Sequence, residues 1–208
     1  MDVLEAIQKR RSIRKFKTTP LTSEQINNLL EAARLAPSGC NVQPWRFIIV
    51  KDTQLKTKLC EASFDQQFIK DAPIVIVCCS DLHSWKESKE KTQELLNRPD
   101  INLGEKCEKA LMERVEKVTA DSTHERIPSA MLNVAIAIEH IVLTAVELGL
   151  GSCWVRLFDE KKVKQILKLP EYVFAVALLP IGIPNEDPPT RPRLPLPKII
   201  LQDSIKSD

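Results

Sequence analysis

Residues 10–16 read Arg-Arg-Ser-Ile-Arg-Lys-Phe, so Arg10, Arg11 and Arg14 place three guanidinium groups close together with the hydroxyl of Ser12 between them. A guanidinium carries five donors in a fixed fork and keeps its charge at any working pH. Such a fork suits a phosphate monoester, which accepts short charge-assisted hydrogen bonds. A solvated basic helix end is the alternative interpretation, because cations also favour the C-terminus of a helix.

The totals limit the classes of protein that this chain fits. Its 208 residues are 43% hydrophobic, so we expect one domain over residues 1–208, with room for an insertion. Lys+Arg 30 against Asp+Glu 28 gives a net charge of +2, which does not indicate a nucleic-acid binder. The six cysteines form no Cys-x-x-Cys pair, so no metal site is predicted.

The expected compartment follows from the same features. Several cysteines lie in apolar runs and have the pattern of small core residues, which is typical of a reducing cytosol. The N-terminus carries Asp2 and Glu5 and lacks the apolar region of a signal peptide. No apolar run reaches the roughly 18 residues that a membrane span needs. We therefore expect a cytoplasmic protein that has no membrane partner.

Hydrophobic periodicity and turn residues predict both helices and strands. A helix with Val3, Leu4 and Ile7 on its apolar side precedes the arginine run. Further helices are predicted at residues 22–36, 55–64, 129–148 and 160–167, and strands at 46–50, 74–79, 153–155 and 174–181. The proline-rich tail after residue 184 is predicted to be extended, and residues 199–201 are candidates for an edge strand.

Two segments have an unusual composition. Residues 81–126 are rich in charge and fit two amphipathic helices, at about 85–96 and 105–118. They are interpreted as a solvated surface hairpin, in a position that also suits a lid or a partner contact. Residues 129–148 are apolar nearly all round, which in a chain of this length indicates a dimer interface more than a monomer core.

Four sequence blocks together resemble the FMN-dependent nitroreductase superfamily. The first two are the arginine run and Ala-Pro-Ser-Gly-Cys-Asn-Val-Gln-Pro-Trp-Arg-Phe at residues 36–47. The third is Leu-Gly-Leu-Gly-Ser-Cys-Trp at residues 148–154. The fourth combines Ile-Gly-Ile-Pro at 181–184 with Arg-Pro-Arg at 191–193. The blocks appear in the family's order over nearly the whole chain, although residues 80–126 show no family pattern.

The resemblance implies a fold and an assembly. The fold is an α+β sandwich, with helices flanking a mixed, mostly antiparallel sheet. The assembly is an intertwined homodimer, with two FMN sites at the interface and a C-terminal tail that crosses to the partner. In this scheme the segment at about 81–126 is a charged helical insertion, or lid, within a single FMN-binding domain.

The resemblance also implies contacts to the cofactor, residue by residue. Those matching the phosphate and ribityl ligands, or lying in the same motifs, are Arg10, Arg11, Ser12, Arg14, Arg191 and Arg193. Those matching a loop near the flavin, supplied by the other subunit, are Pro37, Ser38, Gly39 and Asn41. Those matching the backbone donors beside the N5 and O4 edge of the ring, where glycine permits close approach, are Gly151 and Ser152. The weaker candidates for the pyrimidine edge are Gln67 and Gln66.

The expected chemistry is hydride transfer from NADH or NADPH through the flavin to a small oxidised acceptor, such as a nitroaromatic compound or a quinone, by a ping-pong mechanism. Flavin N5 carries that chemistry, so no catalytic side chain is predicted. The three histidines, His83, His124 and His140, are scattered and are interpreted as non-catalytic. No Gly-x-Gly-x-x-Gly follows a strand, which disfavours a Rossmann dehydrogenase.

Several alternatives remain at this point. One is a flavin-binding module without NAD(P)H turnover, and another is a flavin-fragmenting member of the superfamily. A dehalogenase acting on iodotyrosine is disfavoured, because it needs a lid tyrosine and the only tyrosine, Tyr172, lies far from the insertion in sequence. The last is a basic interaction helix at residues 10–17, which predicts a colourless protein that binds nucleic acid.

Overall fold

The structure is a computed structural model that describes residues 1–120 and 123–200. Its helices are α1 (Val3–Lys9), α2 (Ser23–Arg34), α3 (Thr53–Ala62), α4 (Phe68–Asp71), α5 (Ser88–Leu96), α6 (Glu105–Ala120), α7 (Thr123–Glu147) and α8 (Glu160–Leu167). Its strands are β1 (Trp45–Val50), β2 (Ile74–Asp81), β3 (Gly151–Ser152) and β4 (Val173–Gly182). Short 3₁₀ helices occupy Gly39–Asn41, Leu82–Glu87 and Leu196–Lys198.

The four strands form one sheet in the order β1-β2-β4-β3. Every strand pair that the structure describes is antiparallel, and the parallel component is a single bridge between Ser12 and Ser152. The α+β class and the mostly antiparallel sheet are thus confirmed. The central position predicted for residues 74–79 is also confirmed, because β2 is paired on both edges.

Helices cover both faces of the sheet because successive side chains of a strand point in opposite directions. Ile76 and Cys78 of β2 belong to a core cluster that includes residues of α2 and α7. Val77 and Cys79 belong to a second cluster that includes residues of α3 and α8. This double burial explains why β2 reads as a continuous apolar run instead of an alternating one.

The helix starts predicted from capping residues agree with the structure. Thr22 and Gln25 form the capping box of α2, since each side chain bonds to the backbone N–H of the other, at 3.1 and 3.0 Å. Asp159 caps α8 by accepting from the Lys162 N–H at 3.1 Å. The charged segment forms two helices as expected, although α5 begins at Ser88 and residues 82–87 are a 3₁₀ helix.

The predicted start of α7 at residue 129 is wrong. The helix begins at Thr123 and contains Pro128, although proline removes one backbone hydrogen bond. Tertiary packing overrides that signal, because Ile127 and Ala130, on either side of the proline, pack in a cluster with Trp85.

The long helix α7 packs one side against the core of the chain. Residues Arg126–Glu147 are long and apolar enough to cross a membrane by length and composition, a test that core helices also pass. Val134, Ile138 and Ile141 are fully buried in the cluster that contains residues of α2 and the sheet, whereas Leu132 is 64% exposed. Packing within the chain therefore explains part of the apolar character of α7, because 44% of its most apolar window is buried, and a dimer interface along this helix stays a prediction.

Two predicted strands are wrong. The strand after α7 is Gly151–Ser152, and Val155 makes only a single bridge to Leu178. Ile199 and Ile200 are exposed and form no strand, and Leu201 lies outside the described residues. The apolar composition of these residues indicated burial. Strand formation also requires a neighbouring strand with a free edge, which composition does not reveal. The tail is otherwise extended, apart from its 3₁₀ helix.

Candidate functional site

The arginine run leaves α1 as an extended segment that is held on both sides. Its Ile13 N–H donates to Ser152 O of β3 at 2.9 Å. On the other side, the Lys17 N–H donates to Ile183 O, and the Asn185 N–H donates to Lys15 O, both at 2.9 Å. Backbone pairing therefore fixes the start of the C-terminal tail alongside the N-terminal arginines.

A carboxylate of the tail completes this attachment. Glu186 Oε1 accepts from the backbone N–H groups of Arg14 at 2.5 Å and Lys15 at 3.0 Å. The side chain of Arg14 extends over the ring of Phe68, with the guanidinium carbon 5.7 Å from the ring centroid. Glu186 was not predicted, because an acidic residue in a proline-rich tail has the pattern of a solvated side chain.

The arginines of both chain ends line one cavity of about 540 Å³, which we call the arginine cavity. Its lining includes every arginine that the sequence predicted, namely Arg10, Arg11, Arg14, Arg191 and Arg193, together with Ser12. Glu139 of α7 also lines it and supplies a carboxylate, which the sequence reasoning missed. With five guanidiniums and one carboxylate among its described lining residues, this cavity is suited to a multiply charged anion.

The five arginines are not equivalent. Arg11 donates from Nη1 to Gln8 O at 2.6 Å and to Arg10 O at 2.8 Å, so it also caps the C-terminal end of α1. Arg193 donates from Nη1 to Arg191 O at 3.0 Å, which folds the tail on itself at the cavity. The Nη1 donors of Arg11 are therefore partly used by backbone carbonyls. Arg14 differs, because its backbone N–H is bonded and its guanidinium donors stay available to a ligand.

Gly151 and Ser152 are buried beside this segment. A Cβ atom built on Gly151 would lie 2.6 Å from Cγ1 and 2.9 Å from Cβ of Ile13, and 3.0 Å from Cγ of Pro184. The structure therefore gives a packing reason for glycine here, in addition to the expected approach to a flavin ring. Ser152 contributes its carbonyl to the Ile13 N–H.

The loop at residues 37–41 lies at a different cavity. Pro37, Ser38 and Gly39 line a space of about 550 Å³, which we call the loop cavity, together with residues of α5, α6 and α7. The Gly39 N–H donates to Asn133 Oδ1 at 3.3 Å, which ties the loop to α7. Asn41 lines neither cavity in the described part of the chain, and its Oδ1 accepts from Gln43.

In this single chain, the predicted site residues are thus divided between two cavities. The loop cavity contains three of the four predicted loop residues, and the arginine cavity contains all the predicted phosphate ligands.

The side-chain amides of the two candidate glutamines donate to backbone carbonyls. Gln67 is exposed, and its Nε2 donates to Asp65 O at 2.9 Å. Gln66 Nε2 donates to Ser63 O at 3.0 Å and to Leu157 O at 2.9 Å. Neither glutamine is among the described residues that line the two cavities, although Gln67 adjoins the ring beneath Arg14.

Tyr172 is far from the insertion in sequence, but it lies next to the start of the insertion in the folded chain, so the expectation that it is remote is wrong. Its ring stacks on that of His83 with centroids 3.7 Å apart, and its carbonyl accepts from the Leu82 N–H at 2.9 Å. Pairing of Asp81 with Val173 brings these segments together. Tyr172 is nevertheless absent from the described lining of both cavities.

The other histidine and cysteine side chains for which the structure gives contacts or a pKa shift pack or hydrogen-bond within the fold. His140 Nδ1 lies 3.0 Å from Ala32 O and joins α7 to α2, while the side chain of His124 lies outside the described residues. Burial raises the pKa of the Cys153 thiol, and the neighbouring Arg14 guanidinium offsets this only in part. Burial also raises the pKa of Cys79 to about 12. These thiols are therefore protonated at neutral pH and are poor nucleophiles.

Comparison with known proteins gives consistent results. Residues 7–183 match the model of the Nitroreductase family. The chain is 34% identical over 202 residues to the NADH dehydrogenase of Thermus thermophilus, covering 97% of this chain and 96% of that protein. It is 26% identical over 196 residues to the FMN reductase (NADPH) of Bacillus subtilis, covering 93% and 70%. It is 27% identical over 189 residues to the iodotyrosine deiodinase of Thermotoga neapolitana, covering 89% and 90%. The solved structure of NfrA2 from B. megaterium superposes with a TM-score of 0.78 at 28% identity, covering 100% of this chain and 77% of that one.

Proposed function

Because this chain belongs to the nitroreductase family, we propose that it is an FMN-dependent oxidoreductase that uses NADH or NADPH to reduce a small oxidised acceptor. The observation that carries the proposal is the arginine cavity, in which guanidiniums from both chain ends meet. Nitroaromatic compounds and quinones are the acceptor classes we propose, with donor and acceptor reacting in turn by a ping-pong mechanism.

The residues of the arginine cavity fit the polar half of FMN. A phosphate monoester carries up to two negative charges and accepts bidentate bonds, which the guanidiniums of Arg10, Arg14, Arg191 and Arg193 can donate. The hydroxyl of Ser12 can donate a further bond. Glu139 opposes an anion, but its carboxylate can accept bonds from ribityl hydroxyls.

When bound, FMN supplies the hydride chemistry through its N5 atom, and the protein supplies binding, orientation and electrostatics. Gly151 and Ser152 lie next to Ser12 and are the residues we assign to the ring edge. The packing of Ile13 between β3 and the tail holds them in place. The buried, protonated thiol of Cys153 takes no part as a nucleophile.

We assign the loop residues Pro37, Ser38, Gly39 and Asn41 to the flavin of the second subunit of a homodimer. The division of the site residues between two cavities supports this assignment, because one protomer does not bring the loop and the arginines into the same cavity. Exposed apolar side chains support an interface. Leu4 is 70% exposed, Val3 and Ile7 on the same side of α1 are also exposed, and α1 packs against α7.

The first test is flavin content. Arg10→Ala and Arg14→Ala should purify folded but pale, with FMN bound roughly ten- to a hundredfold more weakly, since a hydrogen bond to a charged group contributes about 1.5–3 kcal/mol. Arg98→Ala is a matched control, because Arg98 is exposed and pairs with Asp100 at 2.7 Å between α5 and α6. Equal flavin content in Arg14→Ala and in the control would contradict the phosphate assignment.

The second test separates an enzyme from a flavin-binding module. Anaerobic mixing of the holoprotein with NADH or NADPH in a stopped-flow instrument should bleach the flavin absorbance rapidly. A second mixing with a quinone should restore it. Bleaching no faster than that of free FMN would indicate a module without turnover.

The third test is the oligomeric state. Light scattering at micromolar concentration should report a dimer, and Leu4→Glu should shift it toward a pale monomer. Leu157→Glu is the control, because Leu157 is similarly exposed but lies next to α8. A wild-type monomer that retains flavin would contradict the shared site.

We place this dimer in the cytoplasm, without a nucleic-acid or membrane partner. We treat residues 1–208 as one domain in which residues 81–126 form the lid.

A further inference from the structure

The walls of the loop cavity suit a flat apolar molecule. Its volume of about 550 Å³ lies within the range of small-molecule pockets. Apolar side chains line it from the 37–42 loop, the 3₁₀ helix Leu82–Glu87 and the helices α6 and α7, namely Val42, Trp85, Leu111, Val115, Leu132 and Ile136. An aromatic ring would therefore replace water against these walls.

A single charged group stands among the described residues of this lining, the guanidinium of Arg114. Arg114 lies on α6 three residues after Leu111, so both side chains belong to one face of the helix. The nearby ion pairs of this hairpin, Lys89 with Glu116 at 2.9 Å and Lys91 with Glu87 at 3.2 Å, use other residues. The exposed guanidinium is thus placed where the cavity meets solvent.

A polar group lies in the cavity on the α7 side. Asn133 is 7% exposed, and its Oδ1 accepts from the Gly39 N–H at 3.3 Å. An asparagine amide also has an NH₂ group with two donors, which this bond leaves available to a ligand. The cavity therefore offers apolar walls, a neutral donor from α7 and a cation from α6.

We propose that the loop cavity is the acceptor pocket and that Arg114 makes it selective for aromatic acceptors that carry a carboxylate. This inference rests on the proposed function. Arg114 is a specificity-determining residue in this scheme, because a planar guanidinium binds a carboxylate through two parallel hydrogen bonds. The opposite, reducible end of the acceptor lies toward Gly39 and Asn133.

The test reaction is the two-electron reduction of an aromatic nitro compound. One turnover converts the nitro group to a nitroso group, consumes one NADH and one proton, and releases NAD⁺ and water. The carboxylate of the acceptor stays unchanged, so it acts only through binding. Matched acceptors with and without that charge therefore isolate the contribution of Arg114.

The experiment compares 4-nitrobenzoate with 4-nitrobenzamide, which differ in charge but little in size. The ratio of their kcat/KM values should fall about fivefold in Arg114→Gln, the upper end expected for an ion pair at a solvent-exposed position. Lys109→Gln is the matched control, because it removes one positive charge from the same helix but Lys109 is absent from the described lining. An unchanged ratio in Arg114→Gln, or an equal fall in Lys109→Gln, would overturn the proposal.

A second readout separates the acceptor from the nicotinamide donor, which also carries anionic groups. Flavin reduction by NADH and by NADPH is measured for each variant before any acceptor is added. If Arg114→Gln slows reduction by NADPH while the benzoate-to-benzamide ratio is unchanged, Arg114 binds the donor's phosphate and the proposal is wrong.

Calorimetry distinguishes failure of this inference from failure of the proposed function. Titration of benzoate and benzamide into the purified protein requires no turnover. Benzoate binding that is lost in Arg114→Gln but kept in Lys109→Gln supports the carboxylate site even if NAD(P)H does not reduce the protein. Equal affinities of benzoate for the two variants overturn it, whatever the activity.

Discussion

Replacing Gly151 by alanine would test how the two ends of the chain are held together. The added Cβ would lie 2.6 Å from Cγ1 and 2.9 Å from Cβ of Ile13, and 3.0 Å from Pro184 Cγ. The Cβ of Ile13 is attached to the backbone and cannot rotate away, and the rest of this side chain has little free space because Ile13 is only 5% exposed. The segment around Ile13 must therefore move away from β3.

The magnitude follows from the cost of overpacking. An extra methyl group in a well-packed core costs about 1–3 kcal/mol of the free energy of unfolding. For a domain of this size, each kcal/mol lowers Tm by roughly 2–4 °C. The same displacement stretches the bond from the Ile13 N–H to Ser152 O and shifts Ser12 and Arg14 relative to the tail. We therefore expect weaker FMN binding as well as lower stability.

The assay is urea unfolding of flavin-free protein followed by circular dichroism, at fixed protein concentration because dimerisation would make stability concentration-dependent. Gly39→Ala is the stability control, because no atom lies within 4 Å of the position of its Cβ. In a double-mutant cycle, Ile13→Ala removes the nearest atom, so the double variant should be less destabilised than the sum of the single variants.

The refuting result is specific. If Gly151→Ala unfolds at the same urea concentration as Gly39→Ala and binds FMN with the affinity of the wild type, close packing does not explain this glycine. Additive effects in the cycle would show that the atoms of Ile13 beyond Cβ do not cause the clash.

The remaining predictions concern single side chains. Thr22→Ala removes the capping box of α2 and should lower the free energy of unfolding by about 1 kcal/mol in urea titrations. Burial raises the pKa of Cys79 to about 12, so a thiol reagent at pH 8 should label the exposed Cys107 at once and Cys79 only after unfolding. Glu186→Ala removes the acceptor of the Arg14 N–H and should weaken FMN binding several-fold in fluorescence titrations. An unchanged affinity would show that the tail is held without Glu186.

Local signals in the sequence predicted the parts of the fold that depend on nearby residues. The capping box of Thr22 and the apolar run of β2 are examples, because a cap or a buried strand is defined within a few residues. The arginines of the two chain ends also meet in one cavity, as the four sequence blocks implied.

Features that depend on distant pairing were missed. Glu186 acts on a residue 172 positions earlier, and nothing near it in sequence distinguishes it from a solvated acid. Tyr172 reaches His83 only because β2 and β4 pair up to Asp81 and Val173. Polar residues within apolar α7, namely Asn133 and Glu139, were a usable signal, since burying a polar side chain is costly unless it has a partner or a function.

The apolar character of α7 shows why composition is a weak argument for an interface. An all-round apolar helix is compatible with a core helix, and α7 buries part of its surface against α2 and the sheet within the chain. The stronger argument for a second subunit is the separation of the loop residues from the arginines into two cavities, together with the exposed apolar side of α1. If the loop residues and the arginines bind one flavin, as proposed, a site divided in this way needs a second subunit, whereas apolar composition alone requires none.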